Sequence, residues 1–284
     1  MPAKNLKPVE NLGWTAGLRN MLKKENAKWW NWKSLAVQLI VWTVIVNSLV
    51  AMMVFALPQM PIPEDAKQQI NQSGDAEAMQ MLNFTPEVIL DLGLSIFFQV
   101  AGIALLIGSV ILAHDSILKE RESGTAAWLL SKPISRKAFV LSKLVANVIG
   151  LLLIVIAVQA AIAYAQISIA TGGLVSIPSF LGGVGIMTVN SLFYLVLALV
   201  LGAFTLNRGV TLGLPIVVGI VGSFLLQFVS ELQYVTPWAL GSMALAMAEG
   251  LPMPDWVIFP IVATVLWTLA FAGAAVWKFE RTEL

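Results

Sequence analysis

Between residues 34 and 277 the chain repeats a pattern that few folds can satisfy: apolar runs about twenty residues long, separated by polar connections. A helix rises about 1.5 Å per residue, so each run matches the roughly 30 Å hydrocarbon core of a bilayer. Inside that core a helix satisfies all of its own backbone N–H and C=O groups. The runs fall at 34–57, 93–113, 144–167, 181–204, 210–229 and 257–277, which predicts an all-α polytopic membrane protein with six transmembrane helices. With 58% hydrophobic and only 12% charged residues, a chain of 284 residues is too apolar for a soluble domain. The fourth and fifth runs are separated only by 205–209, a tight helical hairpin. No small-residue cleavage site follows the first run, so no cleaved signal peptide is read.

The charges sort by side. Basic residues precede the first run (Lys4, Lys7, Arg19, Lys23, Lys24, Lys28, Lys33) and lie between the second and third (Lys119, Arg121, Lys132, Arg136, Lys137, Lys143). Arg208 lies between the fourth and fifth, and Lys278 and Arg281 follow the last. Six crossings put all of these on one side, leaving Lys67 opposite; the positive-inside rule makes that side cytoplasmic, with both termini there. The other side collects Glu64, Asp65, Asp75, Glu77, Glu87 and Asp91 in one loop and Glu231, Glu249 and Asp255 in another.

The chain thus divides into a basic cytoplasmic segment, 1–33, and a six-span domain, 34–284, with an acidic outer loop at 58–92, a cytoplasmic segment at 114–138 and an outer helix at 236–250. In the basic segment Trp14, Leu18, Met21, Leu22 and Trp29 recur near helical spacing, as in a helix lying flat at the inner interface with its tryptophans at headgroup depth. The other reading is a disordered basic tail whose tryptophans belong to the aromatic belt. In the outer helix Thr236 is placed as N-cap, Pro237 as first residue and Gly250 as C-terminal glycine, around an apolar stripe of Leu240, Met243, Ala244 and Met247.

Much chemistry is excluded. No Walker-type phosphate loop occurs, and Gly182, Gly183 and Gly185 lie inside an apolar run without the strand that a dinucleotide fingerprint needs, so the chain hydrolyses no ATP by itself. Without cysteine, and with His114 the sole histidine, no metal site is expected; the net charge of +1 gives no reason to expect nucleic acid. The run interiors hold no aspartate, glutamate, lysine or arginine, which argues against a proton-coupled carrier. Their mid-span polar groups include the amides Asn47, Gln99, Asn147, Gln159, Asn190 and Gln227. These either line a translocation path or hydrogen-bond between helices. Gly209 and Gly213 have the spacing of a close-packing motif.

The most informative connection runs from His114 to Lys137: a charged approach, a break at Gly124, an amphipathic turn over 125–130, a second break at Pro133, and Ser135 placed to cap the next helix. Arg136 and Lys137 then fall in that helix's first turn, where the dipole disfavours them, so something other than helix stability accounts for them. Here Glu120, Arg121 and Glu122, then Gly124 and Thr125, Leu129, Leu130 and Ser131, Pro133, Ser135 and Arg136, and finally Lys143 at the head of a span resemble the cytoplasmic signature of type-2 ABC transporter permeases. Tyr234, Pro237 and Trp238 before the last span are similar to an aromatic and proline element of the same family, and the six-span order agrees.

The resemblance implies a non-catalytic permease subunit of a prokaryotic plasma membrane, paired with a second permease subunit of the same or a related kind. It binds two copies of a separate ABC ATPase. The chain itself takes no cofactor; ATP and magnesium belong to the ATPase. The segment before the first span is then a connecting helix and 114–138 carries the coupling helix. By the same resemblance Glu120, Arg121, Glu122, Gly124, Thr125, Leu129 and Leu130 contact the ATPase. The acidic loop at 58–92 is long for a small member and leaves room for an extracytoplasmic partner. An ATP-independent carrier or channel, or a membrane assembly factor, are the alternatives; each works without a nucleotide-binding subunit.

Overall fold

The computed structural model describes residues 13–61, 63–73 and 83–282; Lys4, Lys7, Asp75 and Glu77 of the sequence argument lie outside the described residues. In chain order the helices are α1 (Leu18–Trp30), α2 (Trp32–Gln59), α3 (Glu64–Ser73), α4 (Pro86–Glu122), α5 (Thr125–Leu130), α6 (Arg136–Thr171), α7 (Ile177–Phe204), α8 (Arg208–Leu225), α9 (Pro237–Ala248) and α10 (Ile258–Glu280). Of these α2, α4, α6, α7, α8 and α10 are long and apolar enough to cross a bilayer, so the six-span all-α reading holds, and no strand occurs among the described residues.

Local chemistry sets where the helices begin. The Thr85 hydroxyl accepts from the Val88 N–H ahead of Pro86, Ser135 Oγ accepts from the Ala138 N–H at 2.9 Å, and Asn207 Oδ1 accepts from the Val210 N–H at 3.3 Å. Where the helices run differs from the apolar runs in two places that matter. The third crossing starts at Arg136 instead of residue 144, so Lys143 sits inside a packed helix, with a side chain that is 0% exposed. Lys143 precedes the apolar run 144–167, whose interior holds no charged residue. Hydropathy marks where lipid begins, whereas burial of this ammonium comes from neighbouring helices. The fifth helix stops at Leu225 instead of residue 229, which leaves Gln227 exposed in the turns that follow.

The fourth crossing, α7, is the hub, packed against α4, α9 and α10. Phe97 and Phe98 of α4, Phe180 of α7 and Tyr164 of α6 form an aromatic cluster with ring centroids 5.1 to 5.9 Å apart. Three tryptophans lie against glycines on facing helices: Trp29 on Gly150, Trp42 on Gly108 and Trp238 on Gly222, each filling the space that a Cβ would need. Trp29 is therefore buried against the bundle, whereas Trp14 is exposed. Gly209 and Gly213, expected to pack a helix closely, meet no neighbouring helix; the close approaches belong to other glycines. The segment before the first crossing is a helix, α1, packed along α6 through Met21 and Trp29.

Residues 237–248 form a turn of 3₁₀-helix followed by α-helix, closed by Gly250 at φ +73°. Thr236 caps nothing with its side chain, which donates to the Leu232 carbonyl instead.

Candidate functional site

At the basic end of the bundle the chain makes a compact joint. Gly124, at φ +69°, turns the backbone out of α4, and α5 follows as a short helix. Ala126 and Leu129 face inward and are buried, with Leu130 partly buried beside them; Trp128 points outward, 59% exposed, with Lys132 Nζ 3.6 Å above its ring. After Pro133, Ser135 bonds back to the turn before α1: its N–H donates to the Ala16 carbonyl at 3.0 Å and its hydroxyl to the Trp14 carbonyl at 2.6 Å. Ile134 packs against Gly17 at φ +77°, where a Cβ would collide with it.

Beneath this joint lies a buried ion network. Lys143 Nζ is 3.0 Å from Glu25 Oε1 of α1 and 3.0 Å from Glu120 Oε2 of α4. Glu120 Oε1 also binds Lys24 at 2.8 Å and Glu25 Oε2 binds Lys28 at 2.6 Å. Glu25 is 4% exposed and Glu120 12%. An ammonium in a packed interior persists only when its charge is matched; two carboxylates match it here, and Glu25 Oε1 accepts its hydrogen bond. Parting α1 from α6 would strand both charges, so the network holds α1, α4 and α6 together. Sequence reasoning passed over Glu25. Its signal was the four-residue spacing of Met21, Glu25 and Trp29, which puts the one acid among these lysines on α1's buried face.

Around the network, cations close the ends of other helices. Arg121 donates to the Gly202 and Ala203 carbonyls at 3.1 and 2.9 Å, capping α7, and Arg136 donates to the Glu280 and Thr282 carbonyls at 2.7 Å each, capping α10. Lys137 adds a 3.4 Å ion pair to Glu280. This answers why α6 tolerates two cations in its first turn: they serve the C-terminus of α10. Glu122 pairs with Arg208 at the start of α8, with oxygen to nitrogen distances of 2.5 and 3.2 Å. Of the seven residues assigned to the ATPase, then, Glu120, Arg121 and Glu122 have partners inside the chain and Leu129 packs into its core. Gly124 and Thr125 stay on the accessible side, beside Trp128, which the sequence reading did not select.

The six amides separate into four places. Asn47 donates to Gln159 Oε1 at 2.7 Å, joining α2 to α6 where π-turns at Thr43–Asn47 and Leu151–Ala157 loosen both helices. Asn147 donates to Ser116 at 2.9 Å near the ion network. Gln99 and Asn190 line one cavity of about 520 Å³ between α4, α7, α8 and α9, in the half of the bundle away from the basic end. Its walls are largely apolar and uncharged; Asn190 Oδ1 and Trp238 Nε1, atoms of two residues that line it, are buried without a hydrogen-bond partner, as native interiors rarely leave such groups. Gln227 is not part of this cavity. No cluster of metal-ligating side chains occurs among the described residues.

A family model described as ABC-2 family transporter protein matches residues 33–284. The chain belongs to this family. The match takes in all six crossings, α5 and the cavity, and begins just after α1 ends. The protein is thus a multi-pass membrane component of ABC transport, in a family whose ATPase is a separate subunit. Among curated proteins none matches this ABC-2 chain.

Proposed function

We propose that this ABC-2 protein is the permease subunit of an ATP-driven transporter in a prokaryotic plasma membrane. Its basic end faces the cytoplasm, as the positive-inside rule requires. A separate ABC ATPase, carrying ATP and magnesium, docks on α5, and the chain itself performs no catalysis. The outer face of α5, with Thr125 and Trp128 next to Gly124, is the contact surface in this reading. Glu120, Arg121 and Glu122 act behind it, passing the push to α6, α7 and α8 through their bonds. The observation that carries the proposal is this joint: a short helix with one exposed face, following at Gly124 the α4 end whose Glu120 is held in the Lys143 network, in a chain whose family is ABC-2.

A second permease subunit, identical or related, completes the path, and the cavity between α4, α7, α8 and α9 receives the cargo. Its uncharged apolar walls suit a molecule, or part of one, without formal charge. The acidic loop containing α3 is a place for an extracytoplasmic partner. The test is purification of the tagged chain from its native membrane in mild detergent, compared with Thr125→Arg. A copurifying ATPase that is lost in the variant, while the variant remains monodisperse, is expected. Absence of any ATPase, or equal recovery with both chains, would overturn the proposal.

A further inference from the structure

A second cavity, of about 300 Å³, opens at the basic end between α1, α2, α4 and α6, and the transport reading makes no use of it. Its depth follows from α4. The apolar stretch 93–113 is roughly 31 Å long at about 1.5 Å per residue, which fills the hydrocarbon core. Asp115 and Lys119, both lining the cavity, therefore lie just past the core, among the lipid headgroups. Ser34, on the opposite wall, is in the first turn of α2, where a helix N-terminus favours negative charge. Trp32 and Ile111, beside this level, are exposed apolar residues, as expected of surface that acyl chains cover.

The charges in the cavity are only partly used. Glu25 is committed to Lys143 and Lys28. Asp115 and Lys119 stand one turn apart on the same face of α4, a spacing at which acid and base commonly pair, yet no ion pair joins them. Asp115 Oδ1 is buried without a hydrogen bond and has His114 Nε2, 3.3 Å away, as its ion-pair partner, while no lysine or arginine pairs with it; Lys119 has no ion-pair partner among the described residues. A carboxylate without a lysine or arginine partner and an unpaired ammonium, about a helical turn apart, are complementary to a zwitterion.

We propose that this cavity binds the headgroup of an aminophospholipid in the leaflet at the basic end. Lys119 and Ser34 hold the phosphate, and Asp115 accepts hydrogen bonds from the primary ammonium. Phosphoethanolamine carries its two charges two methylenes apart, and its N–H groups satisfy Asp115. A choline headgroup has no N–H to give, and a glycerol headgroup has no cation. The site depends on the chain crossing a bilayer and not on its pairing with an ATPase.

The experiment is native mass spectrometry of the delipidated full chain titrated with phosphatidylethanolamine, phosphatidylcholine and phosphatidylglycerol of identical acyl chains. One charge-assisted contact decides between them, so phosphatidylethanolamine is expected to bind about tenfold more tightly than either. Asp115→Asn should abolish the preference over phosphatidylcholine, and Lys119→Gln should weaken all three lipids. Both side chains are partly exposed or exposed, so the variants are expected to fold, which size-exclusion chromatography checks. Equal retention of the three lipids by the native chain, or an unchanged preference in Asp115→Asn, would overturn the proposal. Soluble glycerophosphoethanolamine distinguishes the source of the headgroup. Failure to compete even in large excess supports a lipid ligand, whereas binding as tight as the lipid's would mean a soluble phosphoester site and refute the lipid assignment.

Discussion

Replacing Lys143 by methionine keeps the length of the side chain and removes the cation from the joint. Glu25 and Glu120, each 3.0 Å from its ammonium, lose the partner that lies deepest. Removing one member of a buried ion pair costs about 3–5 kcal/mol. Glu25 keeps Lys28 at 2.6 Å and Glu120 keeps Lys24 at 2.8 Å, both lysines reaching solvent, so the low end applies: about 3 kcal/mol. For a chain of this size that lowers the unfolding midpoint by about 6–12 °C. The assay heats detergent-solubilised protein and measures the monodisperse fraction by size-exclusion chromatography. Neutralising the carboxylates as well, in Lys143→Met with Glu25→Gln and Glu120→Gln, should recover at least half of the loss, because a wholly uncharged site carries no stranded charge. A single variant within about 2 °C of the native chain would refute the reasoning, as would a triple variant less stable than the single.

Three further outcomes follow from packing and charge. Gly150→Ala drives a Cβ into the Trp29 ring and should cost about 1–3 kcal/mol, part of it restored by adding Trp29→Leu, with thermal stability as the readout. Trp238→Phe removes a buried N–H that has no partner, so the empty protein should be unchanged or more stable by up to about 1 kcal/mol; a clear loss would mean that Nε1 has a structural acceptor. Glu249, in the turn after α9, has its carboxyl raised above the ordinary glutamate value by burial, with Asp91 adding to it. The folded state then binds its proton more tightly than the unfolded state, so stability falls as pH rises from the ordinary carboxyl value through the raised one. Glu249→Gln should flatten that segment of the stability profile, measured by thermal melts across acidic to neutral pH.

The crossings were legible because each must satisfy its backbone inside lipid, and apolar length is a direct record of that demand. Their ends were not. Residues 136–143 read as a basic connection because hydropathy cannot tell a lysine in solvent from one matched by acids on two other helices. The breaks at Gly124 and Pro133 and the cap at Ser135 were legible, being local. The partners of Glu120, Arg121 and Glu122 were not, because they lie on α1, α6, α7 and α8, far along the chain. The amides show both cases. Asn47 with Gln159 is the interhelical bond that membrane packing favours, whereas the meeting of Asn190 with Trp238 at one cavity depends on how α9 folds back, which periodicity does not encode.

The central claim, that α5 is where an ATPase docks, is open to direct measurement because the chain has no cysteine of its own. A single cysteine in place of Trp128, 59% exposed on α5, would be crosslinked in native membranes with a short thiol-to-amine reagent. A cysteine in place of Leu174, 83% exposed at the opposite end of the bundle between α6 and α7, is the control. The account predicts a covalent adduct with an ABC ATPase from the Trp128→Cys chain and none from the Leu174→Cys chain. An ATPase adduct from Leu174→Cys, or none from either in membranes that contain the partner, would contradict it.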